Sequence, residues 1–144
     1  MALDPRDSRV GMQQELATLC GKVGSAKLAA VTSEDGLLVA THTEAEPTPV
    51  NRKAAMLASL IALARTAAKE HELEEARWLV LGCRLGVMLV RPFGRKRRRL
   101  LLLVVGDSEK LGPALTAAKE FSVRIDAKFG QPPAEAETEA EESA

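Results

Sequence analysis

The chain has 144 residues, 46% of them hydrophobic, which suits one domain burying roughly 68 to 70% of its unfolded surface. No apolar run approaches the ~20 residues of a membrane-spanning helix, and the N-terminus lacks the basic and apolar blocks of a signal peptide, so a cytoplasmic protein with unbridged Cys20 and Cys83 is expected. The net charge is zero, yet residues 131–144 hold five glutamates and no base, while five consecutive bases, Arg95, Lys96, Arg97, Arg98 and Arg99, account for the +5 of residues 1–130.

Met12, Leu16, Leu19, Cys20 and Val23 recur at helical spacing before Gly24, which predicts an amphipathic helix after a flexible N-terminus of residues 1–9. Residues 26–32 and 37–41 are β-compatible runs joined by Ser33-Glu34-Asp35-Gly36, whose Asp-Gly is a hairpin signal. Pro47 and Pro49 mark a loop, and Asn51 stands where it would cap the helix of residues 52–71, which is rich in alanine and free of glycine and proline. Its stripe of Leu57, Leu60, Ile61, Ala64, Ala67 and Ala68 is expected to face a sheet. Ala54, Ala58 and Ala62, flanked by Ala55 and Ser59, form a second row at fourfold spacing. Small residues in a row let two helix backbones approach closely, so this row predicts a contact with a helix outside the chain.

Residues 78–81, 87–90 and 100–105 are apolar runs too short for lone helices, and the breaks between them, Gly82-Cys83-Arg84-Leu85-Gly86 and Pro92-Phe93-Gly94 with the five bases, carry turn residues. A three-stranded antiparallel meander is expected. None of the runs alternates apolar with polar, so both faces of the sheet should be covered. Leu111-Gly112-Pro113 opens a last helix whose buried face is Ala114, Leu115, Ala118, Phe121, Ile125 and Phe129, and which Gly130 and Pro132-Pro133 stop. Residues 131–144 lack an apolar stripe and read as a disordered acidic tail, leaving a domain of residues 10–130. The fold class is α+β, in the order α-β-β-α-β-β-β-α, with a five-stranded antiparallel sheet carrying one helix on one face and two on the other.

The order of elements, Leu16 and Leu19, the strand-turn-strand from Leu28 to Ala40, the alanine-rich central helix, the strand Gly86-Val-Met-Leu-Val90 and Leu111-Gly112 together resemble the roadblock (dynein light chain roadblock) family over residues 12–129. The resemblance implies a roadblock/profilin-like fold and a homodimer or heterodimer, with strand 77–82 paired to its twin and helix 52–71 packed on its twin. The interface would then hold Ala54, Ala55, Ala58, Ser59 and Ala62 with Trp78, Leu79, Val80 and Leu81. In bacterial and archaeal relatives such dimers bind Ras-like small GTPases, and one subgroup, typified by the gliding-motility polarity regulator, stimulates hydrolysis by positioning the GTPase's own residues. The expected function is a non-enzymatic scaffold or regulator of such a GTPase. Once two central helices pair, Arg65, Thr66 and Lys69 at their far end are expected to face the partner.

His42 and His71 are not spaced with a cysteine or carboxylate as metal ligands would be, and no phosphate-binding loop, dinucleotide glycine pattern or nucleophile elbow occurs. No catalytic residue, cofactor or metal is therefore expected. The acidic group Glu70, Glu72, Glu74 and Glu75 reads as solvated. The alternative function is a module that binds nucleic acid or anionic lipid through residues 95–99, but the chain has no tyrosine and only Phe93 beside the bases, so base stacking is not expected. An acidic tail of about 14 residues reaches on the order of 20 Å, which would let it cover that basic turn.

Overall fold

The apolar runs that fail to alternate become strands with helices on both sides. The computed structural model describes residues 5–43, 50–94 and 98–129. In chain order these form helix α1 (Pro5–Val23), strands β1 (Ala26–Ser33) and β2 (Leu38–Thr43), helix α2 (Val50–Glu70), strands β3 (Leu79–Cys83), β4 (Gly86–Phe93) and β5 (Arg99–Val105), a 3₁₀ turn (Ser108–Lys110) and helix α3 (Leu111–Phe129). The strands make one antiparallel sheet in the order β2-β1-β5-β4-β3.

Strand geometry divides the core into two layers, because successive side chains point to opposite faces. Leu101, Leu103 and Val105 of β5 join Ala29 and Val31 of β1 beneath α1 and α3. Leu100 and Leu102 join Ala30 and Val90 beneath α2. This is why the β5 sequence is apolar at almost every position, and the expected layering of one helix against two is what the fold shows. On α1, Met12, Leu16, Leu19, Cys20 and Val23 are all buried, as their spacing predicts.

Several boundaries differ from the sequence expectation. Helix α1 begins at Pro5, so residues 5–9 belong to it, since proline is tolerated in a first turn. Helix α2 begins at Val50 and takes Asn51 into its first turn, where it is no longer a cap. The first meander break shrinks to the two residues Arg84 and Leu85, with Cys83 paired to Gly86, so Gly82 lies in β3. Pro92 and Phe93 belong to β4, where Pro92 pairs Leu100. The β3–β4 ladder ends at Leu79 opposite Val90, so no strand stands beside Pro92 on that side, the position where a missing N–H is tolerated. Residues 1–4, 44–49, 95–97 and 130–144 lie outside the described residues, and with them the expected loop at Pro47 and Pro49, most of the basic turn and the acidic tail. Among the described residues no helix is long and apolar enough to cross a membrane.

Ion pairs seal the α1–α3 seam. Glu15 accepts from Lys128 Nζ at 2.8 Å and from Arg124 Nη1 at 3.3 Å, and its side chain is only 12% exposed. Burial works to raise the carboxyl pKa, but Lys128 and then Arg124 outweigh it, and the net effect lies below the ordinary glutamate value. A folded-state pKa below the unfolded one stabilises the fold above the unfolded value, near about 4.3, and that contribution disappears as pH falls through the depressed value. Glu15→Gln should therefore lower the melting temperature at pH 7 and flatten its fall below about pH 4. Thermal melts across pH 2 to 7 check this, and parallel curves for the two proteins would contradict it.

Candidate interaction surface

Helix α2 is built in two halves that face opposite ways. Ala54, Leu57, Ala58 and Ile61 are buried on the sheet, with Leu60 and Ala64 packed at its margin. Opposite them, Ala55, Met56, Ser59, Ala62, Leu63, Thr66 and Ala67 are exposed. A solvated helix carries charges on its outer face, yet residues 54–64 contain none. Met56 is 57% and Leu63 67% exposed. The hydroxyls on this face are already used, because Ser59 Oγ donates to the Ala55 carbonyl at 3.1 Å and Thr66 Oγ1 to that of Ala62 at 3.2 Å. What remains is apolar, three turns long and shallow in relief at its small residues.

The row Ala54, Ala58, Ala62 is thus corrected in part. Residues four apart advance about 40° beyond a full turn, so the row winds around the helix. Ala54 and Ala58 fall on the buried side, against the β1–β2 turn, where a β-carbon at Gly36 would sit 3.0 Å from Ala55 Cα and 3.1 Å from Ala58 Cβ. They are not available to another helix. Ala55, Ser59 and Ala62 are exposed, as the interface reading needs, while Ala67, expected on the sheet side, faces outward.

Beside this helix lies an open sheet edge. Among the described residues strand β3 pairs only with β4, so its other side is a free edge of backbone donors and acceptors there. Val80 is 40% exposed, and Leu79 and Leu81 are half-buried. Leu79 packs into the cluster beneath α2, which places the β3 edge on the same side of the sheet as the helix. Trp78 is different, since it packs on the opposite, α3 side of the sheet beneath the Arg91 guanidinium.

At the far end of α2 a groove of about 390 Å³ is lined by Glu34, Arg65, Lys69, Glu74, Glu75, Ala76 and Arg98. The expected partner residues Arg65, Lys69 and Arg98 come together here. Arg65 donates to Glu34 at 3.4 Å, and Arg98 donates to Glu75 at 2.9 Å and to the Gly94 carbonyl at 2.7 Å. The groove floor is set by the end of the helix, where the Glu72 and Leu73 N–H groups close on Lys69 and Ala68 carbonyls. Glu72 and Glu74 hold φ of 58° and 65°, a conformation that costs a residue with a side chain about 1 kcal/mol or more. Thr66 is exposed, but its hydroxyl serves the helix. Arg99 lies on the other face of the sheet, its Nη1 3.7 Å from Met12 Sδ. The basic run therefore serves two faces, and Arg95, Lys96 and Arg97 lie outside the described residues. Sequence reasoning missed Glu34, which looked like a plain turn residue, and missed Met56 and Leu63, whose sevenfold spacing was the available signal.

Among the described residues no group of histidine, cysteine or carboxylate side chains could hold a metal ion. A family model, the Roadblock/LC7 domain, matches residues 12–105, well over half the chain. The chain belongs to the Roadblock/LC7 family. Solved structures agree on the roadblock fold: an MglB in a tetrameric arrangement superposes with a TM-score of 0.74 at 20% identity, covering 84% of this chain and 91% of that one. The gliding protein MglB of Thermus thermophilus gives 0.73 at 21% identity, covering 89% and 95%. Profilin II of Acanthamoeba castellanii gives 0.54 at 16% identity, covering 81% and 98%, which places the roadblock sheet and its helices within the wider profilin-like architecture. No curated relative matches the chain in sequence.

Proposed function

We propose that this roadblock domain forms a homodimer through α2 and β3 and acts without chemistry of its own as a regulator of a small Ras-like GTPase. The observation that carries the reading is the uncharged outer face of α2 together with the edge of β3, which is unpaired among the described residues. A second copy related by a twofold axis would satisfy both at once, helix on helix and strand beside strand, because a twofold interface uses the same patch on each subunit. Family membership and the likeness to MglB structures support the GTPase partner.

The groove end of α2 stays outside such a dimer, and it is where the GTPase would dock. Arg65, Lys69 and Arg98 supply positive charge around Glu34, Glu74 and Glu75. Interface charges of this kind set encounter rate and specificity more than raw affinity. Replacing both Arg65 and Lys69 by glutamate should weaken binding of a cognate GTPase about tenfold, mostly by slowing association, while sedimentation stays that of wild type. Equal affinity in a titration would reject this end of the helix as the contact.

A further inference from the structure

The cations of the groove at the far end of α2 are already engaged by the chain's own carboxylates. Arg98 Nη2 donates to Glu75 Oε1 at 2.9 Å, while Nη1 of the same guanidinium donates to the Gly94 carbonyl at 2.7 Å. Two bonds from separate nitrogens fix the guanidinium plane. Glu34 Oε1 lies 3.8 Å from Arg98 Nε and 3.4 Å from Arg65 Nη2, so one carboxylate stands between the two arginines. The charges alternate along the string Arg65, Glu34, Arg98, Glu75. Lys69 and Glu74 line the same groove but join no ion pair among the described residues.

The two glutamates beside Arg98 are not alike. Glu34 sits in the β1–β2 turn, which backbone bonds from Leu37 and Gly36 tie to Ser33. Glu75 lies between α2 and β3, outside helix and strand, and follows a residue held at φ of 65°. Its side chain is 63% exposed, against 43% for Glu34. Among the described residues Arg98 is the one cation that pairs with Glu75. Releasing it costs the fold little, since an exposed pair contributes little to stability. The Gly94 carbonyl and Glu34 then keep the guanidinium in place. An arginine fork fixed in position and bonded to a replaceable carboxylate is suited to exchange that carboxylate for another.

We propose that Glu75 is a built-in competitor for a partner's carboxylate at Arg98, so that the groove is masked in the free protein. The proposal rests on the groove being the GTPase contact and adds how that contact is regulated. A carboxylate of the GTPase replaces Glu75 on Nη2, and Arg98 stays paired throughout. Because the internal pair must break on binding, its strength is subtracted from the affinity. A pair this exposed sets that subtraction at about two- to fivefold.

The test reads the sign of one charge removal. The probe is the small GTPase that the full-length wild-type protein retains from native extract, purified and titrated against full-length variants that sediment as wild type does. Glu75→Gln should tighten binding about two- to fivefold. Glu74→Gln removes the same charge from the same groove without touching Arg98, and it should change the affinity much less. Arg98→Gln should weaken binding several-fold, and adding Glu75→Gln to it should gain nothing, because the pair is already gone. Weaker or unchanged binding by Glu75→Gln would overturn the proposal. So would an equal gain from Glu74→Gln, which would assign the effect to net charge, or a gain from Glu75→Gln that persists without Arg98. In each of these cases the GTPase still binds and the partner reading stands. If wild type retains no GTPase, that reading fails and the masking fails with it.

Discussion

Ala62→Arg should convert a dimer into a well-folded monomer. Ala62 sits at the centre of the uncharged face of α2 and is exposed in the single chain, and arginine is a good helix former, so the subunit itself should lose nothing. In a twofold helix contact the substitution places two like charges in one poorly solvated seam. A buried, unpaired charge costs about 4 kcal/mol, roughly a thousandfold in Kd. Sedimentation velocity through micromolar dilution checks this, with circular dichroism confirming the fold. A wild-type-like dimer would place the interface elsewhere. Ala58→Arg is not an equivalent test, because Ala58 is 7% exposed and the change would break the core of the monomer.

The largest loss of stability is expected from Gly86→Ala. Gly86 opens β4 directly after the two-residue turn, with φ of 157°. A β-carbon there would lie 2.1 Å from the Val105 carbonyl oxygen and 3.2 Å from Gly106 Cα. Both obstacles are backbone, so no side chain can turn aside, and the end of the β4–β5 ladder must move. A cost of about 3 kcal/mol, or about 10 °C in Tm, is expected. Gly82→Ala, on the same hairpin but with nothing within 4 Å of its β-carbon, is the comparison and should change Tm little. Equal losses at the two positions would show that the close approach at Gly86 does not govern stability.

What the sequence made legible follows from what each signal encodes. The layering was readable because strands buried on both faces must be apolar almost throughout, and β5 is, apart from Arg99 at its start. The element order was readable because Gly, Pro and Asp-Gly punctuate the chain at its turns. The outer face of α2 was half readable: absence of charge over residues 54–64 marks an uncharged face on the helix, but not which alanines lie on it. In an alanine-rich helix the buried and exposed arcs have nearly the same composition, and the phase is set by Leu57 and Ile61 alone. A fourfold row also drifts with every step, which carried Ala54 and Ala58 under the sheet side and left Ala62 outside. The groove was less legible still, since Glu34, Arg65, Glu75 and Arg98 come from four separate segments. Nothing in local sequence pairs a turn glutamate with an arginine 64 residues later. The Arg91–Trp78 stack depends on cross-strand register in the same way, as Trp78 directly precedes β3 and only the ladder from Leu79 opposite Val90 brings it beside Arg91 of β4.

The proposed function is tested most directly by a pull-down from native cell extract. Full-length wild type and the Arg65→Glu, Lys69→Glu double variant serve as baits, with retained proteins identified by mass spectrometry. The account predicts a small Ras-like GTPase held by the wild-type dimer, released by raised salt and lost with the double variant. Extract in which the wild-type protein retains no GTPase, or in which both baits retain the same one equally, would contradict it.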